Sequence, residues 1–208
     1  LSIPYVTKLN PKETNPILVF LRTYANEHDI PIITEDGIRF LHQILQLKQA
    51  KKVLEIGSAI GYSAIAMALK NDVQVWTIER EADMVEQAKR NIKHAGLENQ
   101  ITIIEADALE IDETTLPSVD VIFIDGAKAQ SARFFSKFQN LLPVGGVIVT
   151  DNLLFHGLVH GDTTGKSRNL IRLVEKIDDF NHFLIEQEQF DTVIYELGDG
   201  MSVSIKKE

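Results

Sequence analysis

Val53-Leu54-Glu55-Ile56-Gly57-Ser58-Ala59-Ile60-Gly61-Tyr62-Ser63 reads as a short buried strand, a glycine-bearing turn and the start of a helix. The next apolar run, Val73-Gln74-Val75-Trp76-Thr77-Ile78, ends at an acid, Glu79. Many α/β folds hold a nucleoside this way. The glycines let backbone approach the ligand, and the acid after the second strand takes the ribose hydroxyls. The glycines here are Gly57 and Gly61, so the dinucleotide fingerprint G-x-G-x-x-G is absent. The pattern E-x-G-x-x-x-G suits a cofactor without a pyrophosphate, and S-adenosylmethionine leads that class.

Outward from this stretch the chain keeps a strand–helix rhythm. Strands are expected near 52–56, 73–78, 101–104, 120–124 and 146–150, and helices near 61–70, 81–96, 129–142 and 167–180. The strands are continuous apolar runs, such as Val121-Ile122-Phe123-Ile124 and Val147-Ile148-Val149. That is the pattern of a parallel sheet covered on both faces. Near the C-terminus, Thr192–Leu197 and Met201–Ile205 flank Gly198-Asp199-Gly200 and read as a hairpin. The last strand is therefore expected to be antiparallel. Before the core, helices are expected over 12–28 and 35–48, with Thr34 as an N-cap. The segment Ile30-Pro31-Ile32-Ile33 between them must be extended, because Pro31 restricts its predecessor. The expectation is one domain over 1–208, with 1–50 a helical cap on the core of 51–208.

Composition removes several function classes. A chain of 208 residues is long enough for one well-buried α/β domain. No run approaches the roughly 18 apolar residues needed to span a bilayer, so no membrane partner is expected. No secretory signal precedes Leu1, although a first residue other than Met leaves room for a missing segment. Cysteine is absent, which removes disulfides and thiolate metal sites and favours a cytoplasmic location. The formal charge of −9 argues against a broad nucleic-acid-coating surface but leaves room for a local basic mouth.

Ligands of open α/β sheets gather at the carboxyl ends of the strands. Glu55, Glu79, Asp125 and Asp151 all stand at such ends, and Asp107 lies just beyond the third. Any one of them alone could cap the next helix or stay solvated. Asp125, Asp151 and Asn152 follow two strands in a way that lets three oxygens converge on one cation, since neighbouring strands lie roughly 4.8 Å apart. Carboxylate and amide oxygens select hard ions, Mg²⁺ first and Ca²⁺ or Mn²⁺ as alternatives. Lys128 sits one tight turn from Asp125. An isolated lysine is most often a solvated surface group. A nearby cation and desolvation would favour its neutral form and make it a general base.

Together VLEIGSAIGYSA, the TIER strand end, FIDGAK and VTDN resemble the cation-dependent O-methyltransferases, the group of the catechol and caffeoyl-CoA enzymes. The IPII segment and the C-terminal hairpin extend the resemblance nearly throughout. Within the group the chain is most similar to a bacterial branch that methylates 5-hydroxyuridine of tRNA, through its GxAIGYSAI and DNxLFxGLV patterns. Gly126 and Ala129 depart from that branch, which usually carries Ala and Gly there. The resemblance implies a Rossmann-like, seven-stranded, mostly parallel sheet with one antiparallel edge strand and helices on both faces, and a homodimer. It implies Asp125, Asp151 and Asn152 as metal ligands and Lys128 as base. It implies Ile33, Ser63, Glu79, Ala108 and Asp125 as S-adenosylmethionine contacts, with Glu55 and Gly57 supporting the methionine end. The acceptor is then 5-hydroxyuridine at the tRNA wobble position, or a small catechol-like phenol.

Less specific signals remain. Residues 153–166 carry three glycines and suggest a mobile strap, with Phe155 and His156 towards the substrate. His156, His160 and Asp162 imitate a zinc site, but their spacing has meaning mainly on a helix and the glycines argue against one. Trp76 is expected in the core. Lys166, Arg168 and Arg172 form the best local basic patch. Two rival readings were a nucleotide-binding module without catalysis and an NAD(P)-dependent oxidoreductase. The first leaves Asp125, Lys128 and Asp151 idle; the second lacks both the third glycine and a Tyr-x-x-x-Lys pair.

Overall fold

A computed structural model describes residues 4–207; Leu1, and with it the expectation about what precedes it, lies outside the described residues. The strands are β1 (Lys52–Ile56), β2 (Gln74–Glu79), β3 (Ile101–Glu105), β4 (Val121–Ile124), β5 (Val147–Thr150), β6 (Phe190–Tyr195) and β7 (Met201–Lys206). They form one sheet in the order β3-β2-β1-β4-β5-β7-β6. Strands β3, β2, β1, β4 and β5 run parallel, and β7 is antiparallel to both β5 and β6.

The antiparallel strand is therefore not at the edge, where the family resemblance puts it. It is wedged between β5 and β6, and β6 takes the edge. The burial pattern explains this. Met201, Ser202, Val203 and Ser204 are all buried, whereas β6 alternates between buried or half-buried and exposed positions. Serine is small enough to pack inside, so a strand that looks half-polar occupies the interior. Thr192 Oγ1 donates to Ser204 Oγ at 2.9 Å across the pair.

The helices are α1 (Pro4–Leu9), α2 (Pro16–Glu27), α3 (Glu35–Lys48), α4 (Tyr62–Asn71), α5 (Ala82–Ala95), α6 (Ser131–Phe138) and α7 (Arg168–Glu186). Alternation along the strands builds two cores. Val53, Val75, Val121, Phe123 and Val149 face α2, α3 and α4. Leu54, Ile56, Ile122, Ile124 and Ile148 face Phe134, Phe135 and Phe138 of α6 and Phe180 and Leu184 of α7.

Several boundaries differ from the sequence expectation. Helix α2 starts at Pro16, not at 12, because Asn15 Oδ1 accepts from the Ile17 and Leu18 amides and Pro16 fits the first helical position. Helix α6 is shorter than 129–142, with tight 3₁₀ turns at 128–130 and 139–141. Helix α7 runs past 180 because its buried stripe, Val174, Ile177 and Phe180, continues to Leu184. Helix α1 was not anticipated. Thr34 caps α3 as expected, accepting from Gly37 N–H at 3.1 Å.

Candidate functional site

The strand order reverses between β1 and β4, and a cleft of about 550 Å³ opens at the strand ends there. Such a switch point is where doubly wound sheets bind ligands. The backbone ladders continue past the strand ends: Asp125 N–H donates to Ile56 O, Asp151 N–H to Ile124 O, and Gly57 N–H to Ile78 O. Residues just beyond the strands are thus held as firmly as the strands themselves. Gly57 is required by close approach. A Cβ there would lie 2.7 Å from Asp125 O, and φ is +95°.

The cleft is lined by Ile33, Gly57, Ser63, Glu79, Ala108, Asp125, Lys128, Asp151 and Asn152, among others. Every predicted site residue except Glu55 contributes to its wall. Glu55 is wholly buried on β1 behind that wall. Thr77 Oγ1 donates to one of its oxygens, and the other has no partner. Burial pushes its carboxyl up to about 7, and the nearby Glu79 adds to the rise. Trp76 packs against the second core, as expected.

Glu79 is the organising acid of one side. One oxygen accepts from Ala59 N–H at 3.0 Å, and the other from Arg80 and Glu81 N–H at 2.9 and 3.0 Å. It thereby ties the glycine turn to the end of β2. Asn91 of α5 adds a second tie, donating to Ile60 O at 2.8 Å. The extended segment before α3 is held by Arg22 of α2, whose guanidinium donates to Ile33 O at 3.1 Å and Tyr62 Oη at 2.7 Å. Sequence reasoning missed both Arg22 and Asn91, since their partners are remote in the chain and carry no motif.

The other side gathers charge. Asn152 Nδ2 donates to Asp125 Oδ1 at 2.7 Å, and Asn152 N–H to Asp151 Oδ1 at 2.7 Å. Asp125 is held well above the usual carboxylate range by burial and by Asp151, against the pull of Lys128. Asp151 is raised by burial, with Asp199 adding to it. A buried carboxylate, Asp151, beside a half-buried one, Asp125, is a poor resting arrangement and a good cation site. The donor set, two carboxylates and an amide oxygen, fits a hard divalent ion. Among the described residues no three His, Cys, Asp or Glu side chains group as a cage, and His156, His160 and Asp162 do not form one.

Lys128 Nζ lies 5.9 Å from the centre of the Phe155 ring. His156 lines the cleft and is largely exposed. Asp199, in the turn between β6 and β7, also lines it and was missed. The glycines on either side of it were visible in the sequence, but only as a hairpin signal. Among the described residues no helix is long and apolar enough to cross a membrane.

The family model described as O-methyltransferase matches residues 12–207. The chain belongs to the O-methyltransferase family. A caffeoyl-CoA O-methyltransferase of Populus kitakamiensis is 30% identical over 190 residues, covering 88% of this chain and 80% of its own length. A Staphylococcus aureus structure described as a caffeoyl-CoA O-methyltransferase is 38% identical, with a TM-score of 0.91 and 97% of each chain covered. The O-methyltransferase TomG of Streptomyces achromogenes, solved with S-adenosylmethionine, is 25% identical, with a TM-score of 0.78, covering 98% of this chain and 95% of its own. The protein is thus an S-adenosylmethionine-dependent O-methyltransferase with the class I fold. The oxidoreductase and the non-catalytic module fall away.

Proposed function

We propose that this O-methyltransferase is divalent-cation-dependent, with Mg²⁺ as the ion, and that its acceptor is 5-hydroxyuridine at the tRNA wobble position. One observation carries the cation dependence: Asp125, Asp151 and Asn152 meet at the ends of adjacent strands, with Lys128 in the same cleft as Glu79. Asp125, Asp151 and Asn152 would hold the ion. When bound, the ion would supply Lewis-acid stabilisation of the acceptor oxyanion. Glu79 would take the ribose hydroxyls of S-adenosylmethionine. Ile33, Gly57, Ser63 and Ala108 would line the rest of its pocket, with Glu55 supporting from behind.

The chain's own contribution is positioning and proton transfer. Lys128 Nζ accepts the acceptor hydroxyl proton. The cleft walls hold the acceptor oxygen in line with the methyl carbon, and that proximity supplies much of the acceleration. The acceptor needs two adjacent oxygens, which 5-hydroxyuridine offers through its 5-hydroxyl and 4-carbonyl.

The GxAIGYSAI and DNxLFxGLV patterns support the tRNA reading. So do Lys166, Arg168 and Arg172, all exposed, since α7 packs against the 128–130 turn. A second reading, a small catechol-like phenol or its thioester, is favoured by the net charge of −9 and by the names of the Populus and Staphylococcus relatives. Methylation of 5-hydroxyuridine-containing tRNA beside catechol, with and without EDTA, decides between them. Activity on the tRNA that EDTA abolishes is expected. Activity on the phenol alone reverses the choice of acceptor, and full activity in EDTA removes the metal.

A further inference from the structure

The strap that follows Asn152 takes an unusual path. Phe155, His156 and Gly157 have φ of +45°, +56° and +76°, three consecutive residues in the left-handed region. Side chains rarely adopt it, and a bulky Phe and a His in succession need an outside hold. The hold comes from the turn between β6 and β7. Leu153 N–H donates to Gly200 O at 3.0 Å and Leu154 N–H to Asp199 O at 2.8 Å. His156 N–H then donates to the Asp199 carboxylate. A Cβ at Gly200 would lie 2.5 Å from Leu154 Cγ, so the turn and the strap fit only because that position is glycine.

We propose that Asp199 is a positioning residue for acceptor methylation: its carboxylate locks the His156 amide and so sets the Phe155 ring against the Lys128 ammonium. Three further observations fit this role. The Asp199 side chain is only 12% exposed although it stands in a hairpin turn. Its second oxygen is buried without a partner, so no competing bond draws the carboxylate away from the strap. It shares the cleft with Asp125, Lys128 and Asp151. A cation over an aromatic face is attracted to it, and a lysine held there loses the freedom of its long stem. Asp199 thereby fixes one wall of the acceptor pocket and narrows the positions open to the Lys128 nitrogen, without touching the cofactor. The functional part of this inference rests on the reading of Lys128 as base.

The test uses the full chain with Asp199→Ala, Asp199→Asn and Phe155→Leu. Amide hydrogen exchange at His156, read by NMR, reports the lock without reference to activity. Steady-state kinetics use 5-hydroxyuridine-containing tRNA, or catechol if the unmodified chain methylates only that, and calorimetry reads S-adenosylmethionine affinity. Asp199→Ala is expected to speed exchange at His156 about tenfold or more and to lower kcat/KM for the acceptor by a similar factor. Its cofactor affinity should stay unchanged. Asp199→Asn keeps an oxygen for the His156 amide and should restore most of both. Phe155→Leu should lower kcat/KM while leaving His156 exchange as it was. Unaltered His156 exchange in the alanine variant overturns the lock. Equal damage from Ala and Asn also overturns it, because charge rather than the hydrogen bond would then matter. Full activity of Phe155→Leu overturns the link to Lys128. If the unmodified chain methylates neither acceptor, the proposed acceptors fail while the exchange result still judges the lock.

Discussion

The two halves of the cleft are built on opposite plans. On the β1–β3 side, side-chain hydrogen bonds to backbone tie the glycine turn and the strand ends together, although Arg22 Nε, Glu55 Oε1 and Ser58 Oγ have no partner. Glu79 accepts from three backbone amides, Asn91 fastens the glycine turn, and Arg22 holds the Ile33 segment. On the β4–β5 side burial and Asp151 raise the proton affinity of Asp125, burial and Asp199 raise that of Asp151, and a glycine-bearing strap follows them in the chain. The first half is ready for its ligand as it stands. The second carries an electrostatic debt that only a cation, or protons, can cancel. A socket tied by backbone hydrogen bonds suits a ligand held in one pose, whereas a charged floor beside a strap suits the reacting groups.

The sharpest way to break this contrast is to remove the floor. Asp151→Ala, or the unmodified protein in EDTA, should lose about a thousandfold in turnover, since a Lewis acid at the reacting oxygen supplies several kcal/mol. Calorimetry should find S-adenosylmethionine affinity nearly unchanged. Equal loss of both would mean that the halves are not separable.

Glu55 is the loose end of the tied half, and it makes a pH prediction. Its folded-state carboxyl titrates near 7, against an ordinary 4.5. Below 4.5 it is protonated in both folded and unfolded chains. Above that the unfolded chain releases its proton first, so stability is lost as pH rises through about 7. Glu55→Gln removes this loss. The stability difference between the two proteins should shift by on the order of 2–3 kcal/mol between pH 4 and pH 8, the unmodified chain faring better in acid. Parallel denaturation curves at both pH values would show that the burial of Glu55 is not felt.

Glu79→Ala tests the tied side directly. Hydrogen bonds to a charged group contribute about 1.5–3 kcal/mol, so S-adenosylmethionine binding should weaken roughly ten- to a hundredfold. An unchanged calorimetric affinity would mean that Glu79 serves the turn alone.

The smallest effect is expected outside the cleft. Neutralising Lys166, Arg168 and Arg172 together should weaken tRNA binding and lower its salt dependence by about one unit for each lost phosphate contact. Catechol methylation should hardly change. Equal losses on both acceptors would point to strap damage rather than lost RNA contacts.

The contrast between the halves also explains what the sequence could and could not tell. Motifs local in the chain were legible: the glycine turn after β1, the acids at the ends of β1, β2, β4 and β5, and the apolar runs of β1 to β5, whose limits fall within a residue of the observed strands. Strand β6, expected over 192–197, starts and ends two residues earlier. What escaped depends on partners far apart. Asp199 acts on His156, 43 positions away, and Arg22 on Tyr62, 40 positions away, and neither pair has a compositional trace. The place of β7 escaped for a different reason. Its serines look like a solvent-facing alternation, and only their small size lets them sit in the interior. That Glu55 is wholly buried, with Thr77 donating to it from β2, was not legible either, since its place at a strand end looks like that of the cleft-lining acids.

The wedged position of β7 has a consequence for how the molecule comes into being. A ribosome delivers the glycine turn, Glu79 and strands β1 to β3 first, but β1 also pairs with β4 and Gly57 packs on Asp125, so the methyl-donor socket waits for β4. Strand β5 meanwhile has an unpaired edge, open to pairing with other chains. Only when β7 emerges is that edge sealed, and the same event brings Asp199 up against the strap. The last strand to be made thus closes the open edge of the sheet and completes the strap in one event.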